Sequence, residues 1–344
     1  MSDYVSRSDH ALVSAVIPTR NRPVFLACAI RSALRQTWPN IEVIVVVDGP
    51  DAETAAVLEK ITDPRLRVVF CPTCCGGSEA RNAGVRVARG EWVGFLDDDD
   101  EWLPEKIEAQ MRAAHAMPDW FPVVSCRLIA QSLSASRILP AHPYQSSQPI
   151  ADFLFCRSGL RDSGGVMQTS TLLAPRELLL ALPFQSGLDL HQDWDWLIRA
   201  ASYKGVGLSM VRRPLSIWRV EDARETVSRA PSWQKSLAWI RASRQLISPR
   251  AFSWFVAIQC CWRAQRSHAG LGSRLTLLRA FLFEGKPELL ALLTFLLFAF
   301  VPTSFRQRLR RGFRRNGYRP DSSSGLRLVF TRKAAAPILR KSSL

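Results

Sequence analysis

The chain has 344 residues, 47% of them apolar, and a net charge of +16, which suits one large globular domain or two smaller ones. From Arg250 onward 18 Lys/Arg face only Glu284, Glu288 and Asp321, while residues 1–249 hold 28 basic and 27 acidic side chains. The basic excess therefore describes the C-terminal third rather than the body, and no nucleic-acid-binding motif accompanies it.

The opening residues show no basic segment followed by a long apolar one, so no signal peptide is predicted. The eight cysteines lack the density of a disulfide framework. "CPTCC", residues 71–75, holds one C-x-x-C, half of a zinc signature. No second C-x-x-C or His pair answers it, and the thiols read as buried or reduced.

In chain order, "LVSAVIP" (12–18) reads as a buried strand. Pro23 opens a helix, "VFLACAIRSALRQT". "IEVIVVVD" (41–48) is a second strand, followed by the helix "AETAAVLEKI" and the strand "LRVVFC". "SEARNAGVRVAR" (78–89) is a helix with Ser78 as N-cap and Gly90 as stop. The strand "EWVGFL" runs into Asp97–Asp100, and "LPEKIEAQMRAAHA" is the next helix. "PVVSCRLIA" and "VMQTSTLLA" read as strands, and "DWDWLIRAASYKG" as a short helix stopped by Gly205. After about residue 230 the pattern is helical. The alternation predicts an α/β fold with a mostly parallel sheet covered on both faces. Ligands of such sheets bind beyond the carboxyl ends of the strands. Those ends carry "PTRNR" (18–22), Asp48 and the four aspartates.

Four adjacent carboxylates repel one another unless something offsets the charge. Along an extended chain Asp97 and Asp99 point the same way, an arrangement that suits a hard divalent cation seeking oxygen ligands. The alternative is a solvated acidic turn with Asp98 or Asp100 capping the next helix. An EF-hand is a poor fit, because no glycine occupies its sixth loop position.

"VIPTRNRPVFLACAIRSALRQTWPNIEVIVVVDG", "SEARNAGVRVARGE", "GEWVGFLDDDDEWLPEKIEAQ" and "HQDWDWLIRA" occur in that order. Together they resemble the family 2 inverting glycosyltransferases of the GT-A fold, over roughly residues 12–220. The resemblance implies a GT-A catalytic domain over 1–230; it does not cover the tail, and 231–344 reads from its own residues as a helical, basic, membrane-associating region. The resemblance also implies that Thr19 and Asp48 line a nucleotide base pocket and that Arg81 supports the nucleotide. Asp97-Asp98-Asp99 would be the D-x-D motif, in which Asp99 and Asp97 hold Mg2+ or Mn2+ and Asp98 meets the donor ribose. Asp193 of "HQDWDW" falls where the family places its general base, although it could instead cap its helix. Two positions depart from the pattern. The common "DDGS" reads Val47-Asp48-Gly49-Pro50, and the acidic residue often found before the base is Gln192. Arg219 lies where relatives show R-x-H, but Glu221 replaces the His.

The implied partners are a nucleotide-sugar donor, a glycan or lipid-linked acceptor, and a membrane surface met by the C-terminal region. The implied place is peripheral, on the cytoplasmic face of the cell membrane. A catalytically inactive glycosyltransferase-like binding protein is the alternative. A dehydrogenase is excluded because "PTRNRP" stands where G-x-G-x-x-G belongs. The apolar run "LLALLTFLLFAFV" (289–301) is too short to span a bilayer as a helix. With the basic run 306–315 it reads as an interfacial or re-entrant anchor, or as a helix buried in the body or in an oligomer interface.

Overall fold

The computed structural model describes residues 10–132, 135–159, 162, 164–220 and 232–301. Strands β1 (Val13–Thr19), β2 (Ile41–Val47), β3 (Leu66–Phe70) and β4 (Trp92–Phe95) alternate with helices α1 (Pro23–Leu34), α2 (Ala52–Leu58) and α3 (Gly77–Val87). Next come β5 (Glu101–Trp102), α4 (Lys106–His115), β6 (Phe121–Gln131), β7 (Ser136–Leu139) and α5 (Ile150–Phe155). β8 (Leu173–Pro175), α6 (Arg176–Ala181), α7 (Gln192–Ala201) and β9 (Val206–Arg219) complete the sheet layer. Among the described residues the strands form one sheet, ordered β3-β2-β1-β4-β8-β6-β9-β5, with β7 on β6.

The predicted parallel arrangement holds for β3-β2-β1-β4 and for β6 with β9. Short β8 runs antiparallel to both β4 and β6. "VMQTSTLLA" is therefore not one long strand. Thr169–Thr171 wind into a 3-10 turn first, leaving three residues to pair.

Alternation along the central strands fills both faces of the sheet. Val13, Ala15 and Ile17 of β1 and Val43, Val45 and Val47 of β2 pack with Leu26, Ile30, Ile107 and Met111 of α1 and α4. Val16, Ile44 and Val46 face the other way, toward α3, α6 and α7. Helix α3 approaches closely because residue 84 is glycine. A Cβ there would lie 2.4 Å from Val16 Cγ1. The cap of α3 is Gly76 and not Ser78, which lies inside the helix with its buried hydroxyl unpaired.

The C-terminal helices are α8 (Trp233–Ala242), α9 (Pro249–Phe255), α10 (Cys261–Arg266), α11 (Leu271–Arg279) and α12 (Leu289–Phe300). A wide π turn, Val256–Cys260, joins α9 to α10. Phe252, Trp254, Phe255 and Val256 are fully buried in the core shared with α3, α5 and α7. The described residues up to Phe300 thus form one compact unit. The boundary drawn near residue 230 falls in 221–231, outside the described residues, as do Glu221 and the basic run 306–315.

Candidate active site at the carboxyl ends of the strands

Parallel register brings the ends of β1, β2 and β4 side by side, and the backbone N–H of Asp48 donates to the carbonyl of Thr19 at 2.9 Å. The aspartates lie beyond β4, on a turn closed by the Asp100 N–H donating to the Asp97 carbonyl. Strand alternation therefore does not govern their directions. They divide between two arginines and a row of hydroxyls.

Asp97 Oδ1 accepts from Arg81 Nη2 at 2.5 Å, and Thr169 Oγ1 donates to the same carboxylate. Asp98 Oδ2 accepts from Thr19 Oγ1 at 2.8 Å. Arg22 Nη1 bridges Asp98 Oδ1 and Asp99 Oδ2, at 3.0 Å from each. Buried Asp100 accepts from Ser170 Oγ, Gln168 Nε2 and the Arg219 N–H. The Arg219 side chain pairs with Glu101. Burial pushes Asp98 up to about 6, against the pull of Arg22. Asp100 is held well above the usual range by burial and then by the charges of Asp97 and Asp99. The solvated-turn alternative is thus half right: the segment is a turn, but Asp98 and Asp100 are buried and neither caps α4.

Helix α7 delivers Asp193. His191 is the N-cap in a left-handed conformation (φ 65°), which sets Gln192 and Asp193 in the first turn. Gln192 Oε1 accepts from Arg81 Nη1 at 2.8 Å, so Arg81 joins Asp97 to the turn carrying Asp193. Asp193 Oδ1 accepts the Trp194 N–H. The residue as a whole is half-buried, and its carboxyl group is enclosed by protein. This enclosure pushes Asp193 up to about 6, with the Trp194 N–H and Arg81 opposing and Asp97 adding to the rise. His191 stacks on Trp194 and bonds Ser236, and burial holds it well below its ordinary pKa. It is a packed histidine.

Asp48 gathers the neighbouring loop. It accepts from the N–H groups of Cys75 and Gly76 and from the thiols of Cys74 and Cys75. Burial would raise its pKa, but these donors outweigh it and hold the carboxyl below the usual range. Gly49 turns the chain at φ 96°, a conformation that favours glycine.

The structure thus sets two hydrogen-bonded groups side by side on the Asp97–Asp100 turn. One holds Thr19, Arg22, Asp98 and Asp99, and the other Arg81, Asp97, Thr169 and Gln192. Asp193 stands next to Gln192, and Asp48 beside Thr19. Sequence reasoning missed Arg22, Thr169 and Ser170. Arg22 lay within the polar strand end "PTRNR", which carried the signal. Thr169 and Ser170 gave none, because their segment reads as an ordinary strand.

A sequence comparison matches residues 14–137 to Glycosyl transferase family 2. The amylovoran biosynthesis glycosyltransferase AmsB of Erwinia amylovora is 27% identical over 79% of this chain and 91% of its own length. The UDP-Glc:alpha-D-GlcNAc-diphosphoundecaprenol beta-1,3-glucosyltransferase WfaP of Escherichia coli is 36% identical over 29% of this chain and 40% of its own. Among solved structures, S. aureus TarS 1-349 in complex with UDP-GlcNAc superposes with a TM-score of 0.52 at 17% identity. That match covers 86% of this chain and 92% of the other, and it shows the shared GT-A-type fold. Gln168, Thr169, Ser170, Gln192, Asp193 and Arg219 lie beyond residues 14–137, which supply Thr19, Arg22, Asp48, Arg81 and Asp97–Asp100 and are a family 2 glycosyltransferase domain.

Proposed function

We propose that this chain transfers one glycosyl group, with inversion, from a nucleoside-diphosphate sugar to a hydroxyl of a membrane-associated or lipid-linked glycan in surface-polysaccharide assembly. The observation that carries this reading is the Arg81 bridge between Asp97 and the first turn of α7, where Asp193 stands. The polysaccharide context comes from relatives named for amylovoran and teichuronic acid biosynthesis.

The chemistry assigns roles to these side chains. The acceptor hydroxyl forms a bond to the anomeric carbon as the bond to the diphosphate breaks. Its proton passes to Asp193, whose raised pKa of about 6 lets it act as a base at neutral pH. One displacement needs one base. Arg81 and Arg22 hold positive charge beside the aspartates. Asp97 and Asp99 fit a hard cation, since their side chains remain 31% and 17% exposed while Asp98 and Asp100 are buried. Mg2+ or Mn2+ bound there would supply charge balance for the departing diphosphate. Thr19, Asp48 and Asp98 would hold the nucleoside.

The membrane part of the reading rests on α11 and α12. No described helix is long and apolar enough to cross a membrane. Yet Leu289, Leu293, Leu296 and Phe300 of α12 are 43–75% exposed at spacings of four, three and four residues, along one helix face. Phe283, in the segment that precedes α12, is 78% exposed, and Arg279 and Lys286 of the same stretch of chain are exposed too. The opposite face of α12, Ala291, Phe295 and Ala299, packs on the body. Apolar side chains flanked by cations suit the acyl boundary and anionic headgroups of a bilayer.

The test is a screen of nucleotide-sugars for release of nucleoside diphosphate by the full chain with Mg2+ or Mn2+. Release from a defined donor, abolished by chelator, is expected. No binding or release with any donor would overturn the reading.

A further inference from the structure

We propose that Arg241, Arg244 and Arg279, where α8 and α11 meet, form a site for the phosphate headgroup of an anionic phospholipid, with the exposed ridge of α11 meeting the acyl boundary beside it. This rests on the membrane reading of the C-terminal helices and adds to it the chemical group that is recognised.

The three arginines come from three segments. Arg241 lies in the last turn of α8, Arg244 opens the 3-10 turn Arg244–Leu246, and Arg279 closes α11. Glu284, at the end of the π turn Ala280–Glu284, stands among them. Arg241 Nε donates to Glu284 Oε2 at 2.8 Å, and its Nη2 donates to Oε1. That paired bond, helped by the charges of Arg244 and Arg279, holds the Glu284 carboxyl below the usual range although burial opposes it. The turn itself is fixed to the body. A Cβ at Gly285 would lie 2.1 Å from Ser253 Oγ, and the Lys286 N–H donates to the Pro249 carbonyl at 3.0 Å.

One carboxylate does not neutralise three guanidiniums. Arg244 lies over the Phe252 ring, 5.3 Å from its centroid. Among the described residues neither the Arg244 nor the Arg279 side chain has a hydrogen-bond partner, and all three arginines are exposed. Exposed arginines alone make an ordinary solvated surface. These have apolar company. Leu271, Leu275, Arg279 and Phe283 recur every four residues along one ridge of α11 and its π turn. Leu271 and Leu275 are 66% and 56% exposed, and Leu246, in the turn that Arg244 opens, is exposed as well. A free phosphate would answer the charge and leave this ridge in water. A phospholipid answers both. Arginine suits the headgroup, because its planar fork bonds two phosphate oxygens at once while its stem lies along apolar surface.

The experiment is co-sedimentation of the full chain with two kinds of vesicle: phosphatidylcholine alone, and equal parts of phosphatidylcholine and phosphatidylglycerol. The wild type should bind the mixed vesicles at least about tenfold more tightly. Arg244→Ala and Arg279→Ala should each weaken that binding by roughly fivefold, and together by about twenty-five-fold, with unchanged circular dichroism. Arg35→Ala with Arg112→Ala removes the same charge at α1 and α4, on the other face of the sheet, and should bind as the wild type does. Equal binding of the wild type to both vesicles would overturn the headgroup site and leave the membrane reading standing. So would undiminished binding by Arg244→Ala with Arg279→Ala, or an equal loss in the two double variants. Absence of binding to either vesicle would overturn both.

Discussion

Arg81 Nη2 lies 2.5 Å from Asp97 Oδ1, which ties helix α3 to the turn that ends β4. The arginine is buried, and its other Nη reaches Gln192 on α7. One side chain thus orders three elements around the strand end. An acidic residue at 192 would set a second carboxylate against the guanidinium. The glutamine carbonyl takes that hydrogen bond without adding charge.

Arg81→Ala should lower kcat/KM for donor turnover by about 10²–10³-fold, the usual cost of deleting one well-placed cationic or hydrogen-bonding group. The fold should survive, since Asp97 retains enough exposure to be hydrated. Arg81→Lys should rescue poorly, because an ammonium lacks the fork that reaches both partners. Steady-state kinetics with circular dichroism on the same samples checks this.

Asp99→Ala should abolish metal-dependent turnover, and excess chelator should do the same to the wild type. Asp99 shares Arg22 with Asp98, so the variant leaves one ion pair in place and should keep its melting temperature near wild type. Full turnover by the variant with Mg2+ present would rule out a metal-holding role for Asp99.

Lys106 offers a test of the fold itself. Its ammonium is fully buried against the Trp102 ring, 4.1 Å from the centroid, and donates to Gln110 Oε1. Burial pushes it down to about 8 from 10.5. A depressed lysine pKa means the unfolded chain binds the proton more tightly, so the Lys106 contribution to stability rises as pH climbs from about 8 to 10.5. The gain is at most about 3 kcal/mol. Lys106→Met should remove that contribution, read as the difference between wild type and variant in chemical denaturation at several alkaline pH values. The difference is needed because the raised thiols of Cys126, Cys156 and Cys260 pull stability the other way in both proteins.

Ending the chain near Ser248 would remove Phe252, Trp254 and Phe255 from the core, so truncation there tests folding rather than membrane contact. Surface substitution is cleaner. Phe283→Glu with Leu293→Glu should cut co-sedimentation with anionic vesicles by tenfold or more. Each apolar side chain that buries in the bilayer contributes roughly 1.5–3 kcal/mol. Unchanged sedimentation would mean that this stripe does not meet the membrane.

Much of the fold was legible in the sequence, because β-branched runs such as "IEVIVVV" and Pro23 at a helix start act locally. The antiparallel insertion of β8 was not, since pairing between strands distant in sequence leaves no local pattern. The same limit shaped the site. "DDDD" announced itself, but its neutralising partners Arg22, Arg81 and Ser170 come from three other segments. Treating the run as an extended strand also gave the wrong reason for grouping Asp97 with Asp99. They differ from Asp98 and Asp100 in exposure, which the turn decides.

The most direct measurement compares Asp193→Asn with the wild type, for donor binding by calorimetry and for glycosyl transfer across pH. The amide cannot take a proton, so donor affinity should stay within a few-fold while transfer falls about 10²–10⁴-fold. The wild-type rate should fall about tenfold per pH unit below about 6, as the raised carboxylate becomes protonated. That acid limb should be absent from the residual activity of the variant. Transfer by Asp193→Asn at the wild-type rate, with the same pH profile, would contradict the account.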